Sequence, residues 1–154
     1  MACNSGPDVV EDKLVLALDA NNTRSYPGSG STWFDLSGNG YDFTFVSTAF
    51  NTDGDGIKNM NFSGSHGIAK RIPGGTLTDV PSDDNATIMC FTKIIASSSN
   101  WRSLTRGASS SHHVIVENGS NDFGAFWGIG IKDSGYDIDS VPNYDSKYNC
   151  LTFK

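Results

Sequence analysis

The stretch FGAFWGIGI, Phe123 to Ile131, decides the class of fold. Phe123, Ala125, Trp127, Ile129 and Ile131 fall on one side of a period-two pattern, with Gly124, Phe126, Gly128 and Gly130 on the other. Successive side chains of an extended backbone point to opposite faces, so this is the pattern of a strand with one apolar face. A face rich in glycine lets another backbone or a large side chain come close. The spacing predicts one continuous strand over these residues.

The same period recurs outward in both directions. Leu14, Leu16 and Leu18 share one face, with Val15 and Ala17 opposite, which predicts a deeply buried strand. Tyr41, Phe43 and Phe45 alternate with Asp42 and Thr44, and Met60 and Phe62 with Asn59, Asn61 and Ser63. Ile68 and Ile72 bracket a short run with Lys70 and Arg71. From Thr87 to Ile95, Ile88, Cys90 and Ile94 oppose Met89, Phe91 and Ile95. Trp101 to Arg106, His112 to Glu117 and Tyr148 to Phe153 complete the strand-like runs. No window holds a helical period, and the connectors are Gly, Ser, Asn and Asp clusters. About nine strands parted by such turns predict an all-β, two-sheet antiparallel sandwich or jelly roll. Residues 1–12 read as an N-terminal arm and 13–154 as the sandwich domain.

Composition narrows the function classes. The chain has 154 residues, enough for one core, and a formal charge of −6. An acidic chain is a poor partner for nucleic acid, whose phosphates need a basic surface. Apart from Glu11 and Glu117 every acidic residue is Asp, which favours turns over helices. The cysteines, Cys3, Cys90 and Cys150, are odd in number and widely spaced, so they form neither a disulfide framework nor a zinc motif. Cys90 and Cys150 lie in strand-like runs and are expected as free, packed thiols. MACNSGPDVVEDK has no basic start and no apolar core, so no signal peptide is expected, and no run is long enough for a transmembrane helix. The Asn-x-Ser/Thr triplets at Asn21, Asn61, Asn85 and Asn118 are then expected to stay unmodified.

Leu14 to Phe45 reads LVLALDANNTRSYPGSGSTWFDLSGNGYDFTF. Leu18-Asp19-Ala20, the loop Ser25 to Gly30, Trp33, and the turn Asp35 to Gly40 follow one another in a set order. This order resembles the opening of the concanavalin A-like, laminin-G-like lectin/glucanase domains found in bacteriophage and other viral structural proteins. NMNFSGSHGI, ATIMCFTK and YNCLTFK are similar to later strands of that family. The resemblance spans nearly the whole chain and implies a concanavalin A-like sandwich. Relatives continue beyond the strand matched by Tyr148 to Phe153, so the resemblance implies a sandwich lacking its C-terminal strands within these residues. It also implies that Trp33, Asp35, Gly38 and Gly40 are structural. Trp33 is expected to plug its loop onto the sandwich, Asp35 to accept backbone N–H groups, and Gly38 or Gly40 to take positive φ.

Glycoside hydrolases of this fold use paired carboxylates, and β-glucanases carry Glu-x-Asp-x-Glu on one strand. Neither Glu11 nor Glu117 has a carboxylate two residues away, and Asp53/Asp55 and Asp137/Asp139 read as loops. Asn51, Asp53 and Asp55, in NTDGDG, are a candidate calcium site, since hard oxygens and a glycine turn suit that ion, and laminin-G-type domains bind calcium in rim loops. The plainer reading is a hairpin turn, because Asp-Gly is a strong turn signal. Asp83, Asp84 and Asn85 form a second acidic cluster of the same kind. His112 and His113 are adjacent in a strand and point to opposite faces, so they do not chelate one metal together. Trp101, Arg102, Tyr136 and Tyr144 are candidate carbohydrate contacts, because sugar C–H faces stack on aromatic rings. Trp33 and Trp127 read as core.

Three functions compete. The first is a non-enzymatic virion protein, such as a capsid decoration, tail or fibre component. It would be made in the host cytoplasm, partnered by other virion proteins and by its own copies, and able to attach to host-surface glycans. The second is a carbohydrate-binding module of a cellular protein. The third, a glycoside hydrolase, is disfavoured by the unpaired glutamates.

Overall fold

The structure is a computed structural model describing residues 12–46, 49–62, 68–71, 87–94, 102–106, 112–116, 121–127 and 130–153. Among them the protein is all-β. Every strand pairing is antiparallel, and the one helical element is a three-residue 3-10 turn, Ile138–Ser140. The chain falls into two compact units, Met1–Asp84 and Asn85–Lys154.

In the first unit, β1 (Thr32–Trp33), β2 (Phe43–Val46) and β5 (Ile68–Arg71) form a sheet in the order β1-β2-β5. A separate hairpin pairs β3 (Ala49–Thr52) with β4 (Lys58–Asn61) around the Asp-Gly turn. Leu14 to Leu18 differ from expectation: they form no strand and are half-buried. Their backbone is held by side chains of the turn instead of a neighbouring strand. Asn39 Nδ2 donates to the Leu14 and Val15 carbonyls, at 3.0 Å each. The Ser37 hydroxyl shares its one proton between the Val15 carbonyl at 3.0 Å and the nearer Asp35 carboxylate at 2.6 Å, and Asp35 Oδ1 accepts the Ala17 N–H. Backbone groups satisfied in this way need no ladder partner.

In the second unit, β7 (Arg102–Arg106), β8 (His112–Val116), β9 (Asp122–Trp127) and β10 (Gly130–Asp137) form a four-stranded sheet in the order β10-β9-β8-β7. β6 (Ile88–Thr92) pairs with β11 (Asn149–Phe153) in a two-stranded sheet. FGAFWGIGI is therefore two strands and not one. Trp127 pairs with Gly130, so the chain reverses between them. A two-residue link containing glycine is a favoured hairpin connection, and alternation by itself does not reveal it. The expected close approach is present at Gly124, where a Cβ would stand 2.6 Å from the Lys132 carbonyl oxygen.

The core of the second unit joins residues from both of its sheets. Ile94, Val116, Phe123 and Ile138 are buried, and Leu104, Tyr144 and Leu151 pack against them. Fully burying such an apolar side chain contributes about 1.5–3 kcal/mol. Opposite Phe123 the hairpin carries a bulge between Asp133 and Tyr136. Gly135 there takes a φ of +70°, and Ser134 Oγ donates to the Phe123 carbonyl at 2.6 Å.

Candidate functional site

The loop from Asp35 to Tyr41 folds around one carboxylate. Asp35 accepts from the N–H groups of Ala17, Ser37 and Tyr41 and from the Ser37 hydroxyl, at 3.0, 2.9, 3.1 and 2.6 Å. Burial pushes its carboxyl pKa up, but these donors outweigh burial and hold it below the usual value. Gly38 and Gly40 take φ of +88° and +72°, which lets the chain turn around the carboxylate. Trp33 is half-buried, its ring tilted against Phe45 with centroids 5.7 Å apart.

Two residues of the Ser25 to Gly30 loop anchor it. Ser25 is fully buried; its hydroxyl donates to the Phe34 carbonyl at 2.6 Å and accepts the Asp19 N–H at 3.1 Å. Tyr26 is buried against Phe45 and Phe50, with centroids 5.3 and 4.6 Å away, and its hydroxyl donates to the Gly30 carbonyl. Ser and Tyr inside a Pro-Gly loop look exposed in sequence; only the fold back onto β2 and β3 buries them.

In NTDGDG, Asp53 Oδ1 accepts the N–H groups of Asp55 and Ile57, at 3.0 and 2.8 Å. Gly56 takes a φ of +80°. These bonds are those of a side-chain-capped hairpin turn. Asn51 sits in β3, paired with Asn59. No group of three or more His, Cys, Asp and Glu side chains able to hold a metal occurs among the described residues.

Of the four candidate sugar contacts, two meet around the 3-10 turn. Arg102 Nη2 donates to Asn121 Oδ1 at 2.5 Å, and Asn121 Nδ2 donates to Asp139 Oδ2 at 2.8 Å. Tyr144 hydrogen-bonds the same Asp139, which pushes its hydroxyl pKa up. Burial pulls the Arg102 guanidinium down from its usual value, while Tyr144 and Asp139 act the other way. Asn121, at a φ of +61°, is held in place because its carbonyl accepts the Ile138 N–H. Tyr136 is exposed and stacked on Phe123, and it borders a cavity of about 130 Å³ lined by Ile94, Ile138, Val141, Asn149 and Leu151 among others. Trp101 lies outside the described residues, as do Asp83, Asp84 and Asn85. So do the side chains of His112, His113 and Trp127.

The β6–β11 sheet departs from expectation on one face. Met89 is 59% exposed and Phe91 74%. Cys150, opposite Phe91, is exposed as well, so it is not a packed thiol. Cys90 points the other way and is half-buried; burial, then the nearby Cys150, pushes its thiol pKa up. Alternation predicted both faces correctly as apolar but could not say which one meets a core. No described helix is long and apolar enough to cross a membrane. Comparison with protein-family models, with curated proteins and with solved structures found no match.

Proposed function

We propose that this protein is a non-enzymatic structural component of a virion, a capsid decoration, tail or fibre domain built on a concanavalin A-like two-sheet sandwich. In this reading it is made in the host cytoplasm and works as repeated copies among other virion proteins. The observation that carries the reading is the outward apolar face of β6–β11, with Met89 and Phe91 in solvent. A large apolar residue left exposed on a regular sheet is a surface that assembly would cover. The Leu14 to Phe45 resemblance supplies the viral context, and within that stretch the Asp35 carboxylate accepts from Ala17, Ser37 and Tyr41. Mass spectrometry of purified virions from the source is the test. The chain should appear among the particle proteins in many copies, and its absence from the particle sinks the reading.

A second reading, carbohydrate binding, is favoured by one observation: Arg102 and Tyr144 are joined through Asn121 and Asp139, in the same unit as the exposed Tyr136. Titration with a panel of glycans should then show binding that Tyr136→Ala weakens, and binding indifferent to that change places the sugar elsewhere. For the non-enzymatic part, incubation with β-glucans should release no reducing sugar. Release that disappears in Glu117→Gln would establish a hydrolase instead.

A further inference from the structure

Asn39 ties two pieces of the first unit together. Its Nδ2 donates to the Leu14 and Val15 carbonyls at 3.0 Å each. With Asp35 and Ser37 it holds the run from Leu14 to Leu18, which forms no strand. The residue after it is glycine, and Asn39 and Gly40 are both exposed. Gly40 takes a φ of +72°, and a Cβ built on it would meet nothing within 4 Å. Asn-Gly is the dipeptide in which an asparagine side chain closes most readily on the following backbone nitrogen, because glycine has no Cβ to obstruct the ring. The amide that fastens the run is therefore also the chemically labile group of the loop.

We propose that Asn39 is a self-modification site: its amide deamidates through a cyclic imide with Gly40, and the conversion releases the Leu14 to Leu18 run. The step needs only water and hydroxide. The Gly40 backbone nitrogen gives its proton to hydroxide and attacks Asn39 Cγ. An N–Cγ bond forms, the Cγ–Nδ2 bond breaks, and Nδ2 leaves as ammonia, taking a proton from water and restoring the hydroxide. Water then opens the imide. Opening at Cγ gives aspartate, and opening at the Asn39 backbone carbonyl gives isoaspartate. Nothing is oxidised or reduced, and the loss of ammonia makes the release one-way.

The fold sets both the rate and the consequence. Ring closure requires the amide to leave the Leu14 and Val15 carbonyls. The backbone on either side is fixed as well: the Asn39 N–H donates to Ser37 Oγ at 3.3 Å and the Tyr41 N–H to Asp35 Oδ2 at 3.1 Å. Opening two amide hydrogen bonds first slows the step by about tenfold or more relative to the unfolded chain. Conversion then reverses the polarity at position 39, since an amide nitrogen donates and a carboxylate only accepts. Carboxylate oxygen would face two carbonyl oxygens, in a turn that already holds the Asp35 carboxylate. Isoaspartate also lengthens the backbone before Gly40 and draws Tyr41 away from Asp35. Both products act in the same direction.

The experiment incubates the full chain at mildly alkaline pH in water labelled with heavy oxygen, folded and in urea, and maps it by peptide mass spectrometry. Label marks residues that pass through the imide. It should enter Asn39 in both states, about tenfold or more faster in urea. Asn118-Gly119 is the other Asn-Gly pair of the chain, and label there in urea shows that the conditions suffice. Asn39→Gln should take up no label at this position over the same period, because its longer side chain closes a larger ring. Hydrogen exchange of the converted fraction, separated by anion exchange, reads the release: the Ala17 N–H, held by Asp35, should exchange about tenfold or more faster, with the second unit unchanged. Asn39→Asp is the independent variant and should show the same acceleration. Absence of label at Asn39 in the folded chain overturns the proposal, whether or not urea brings it out. Equal rates in the two states overturn the hold by Leu14 and Val15. Unchanged Ala17 exchange in both the converted fraction and Asn39→Asp overturns the release, and exchange raised alike through both units shows general unfolding and overturns it too.

Discussion

The loop from Ser25 to Gly40 and the β6–β11 sheet treat their surroundings in opposite ways. The loop is polar in composition, yet it turns its polar groups inward: Ser25 is fully buried and Asp35 takes four donors. The sheet is apolar in composition, yet it turns Met89 and Phe91 outward. Polar residues therefore hold structure together in the first region, while apolar side chains stand in solvent in the second. Hydrophobicity alone would have assigned the two roles the other way round.

Tyr26→Ala removes a buried ring and should cost roughly 3–5 kcal/mol in urea unfolding, as buried aromatic truncations do. A loss below about 1 kcal/mol, the size of a typical surface change, would mean the loop is not anchored there. Gly124→Ala sharpens the picture in the second unit. Its Cβ would meet the Lys132 carbonyl oxygen at 2.6 Å, so backbone must shift, at a cost of about 1–3 kcal/mol. An unchanged unfolding midpoint would show that the hairpin is looser than its geometry implies.

Asp35 tests the loop through pH. Its carboxyl pKa is lowered in the folded protein by its donors. A lowered carboxyl contributes stability that is present in full above its unfolded value, near 4, and is lost as pH falls through the folded value. Moving from about pH 5 to about pH 3 should therefore lower the wild-type unfolding midpoint more than that of Asp35→Asn, which has no such proton to bind. At neutral pH the same variant should cost about 1–3 kcal/mol, because donors arranged around a carboxylate then face an amide. Equal acid sensitivity in the two proteins would remove Asp35 from the account. The smallest effect belongs to the sheet: Phe91→Lys should change the stability of the single chain by no more than about 0.5 kcal/mol. A large loss there would mean Phe91 is packed within its own chain, and the contrast with the loop would collapse.

Much of this was legible in the residues. Alternation located β2, β4, β6 to β9 and β11 to within a few positions, since side-chain period follows from backbone geometry alone. The turn at Asp35 to Gly40 came from the family resemblance, and what the structure adds is its geometry, a short acceptor with two glycines at positive φ. Three features were not legible. The Trp127 to Gly130 reversal is invisible because a two-residue link does not interrupt an apolar pattern. The Leu14 to Leu18 run alternates like a strand, but its backbone is claimed by Asp35, Ser37 and Asn39, which lie about twenty residues on. The link of Arg102 to Tyr144 runs through Asn121 and Asp139, neither of which has a motif of its own.

Strands and tight glycine turns follow from the residues alone, because those preferences act over a few neighbouring positions. Only the tertiary structure decided which of two apolar faces is core and which is surface. Ile88, Cys90 and Ile94 on one side and Met89 and Phe91 on the other are equally apolar in sequence. The difference arises where Ile94 and Leu151 meet Val116, Phe123 and Ile138, contacts between segments far apart in the chain. Burial is a property of what lies across the gap, and no local pattern records it.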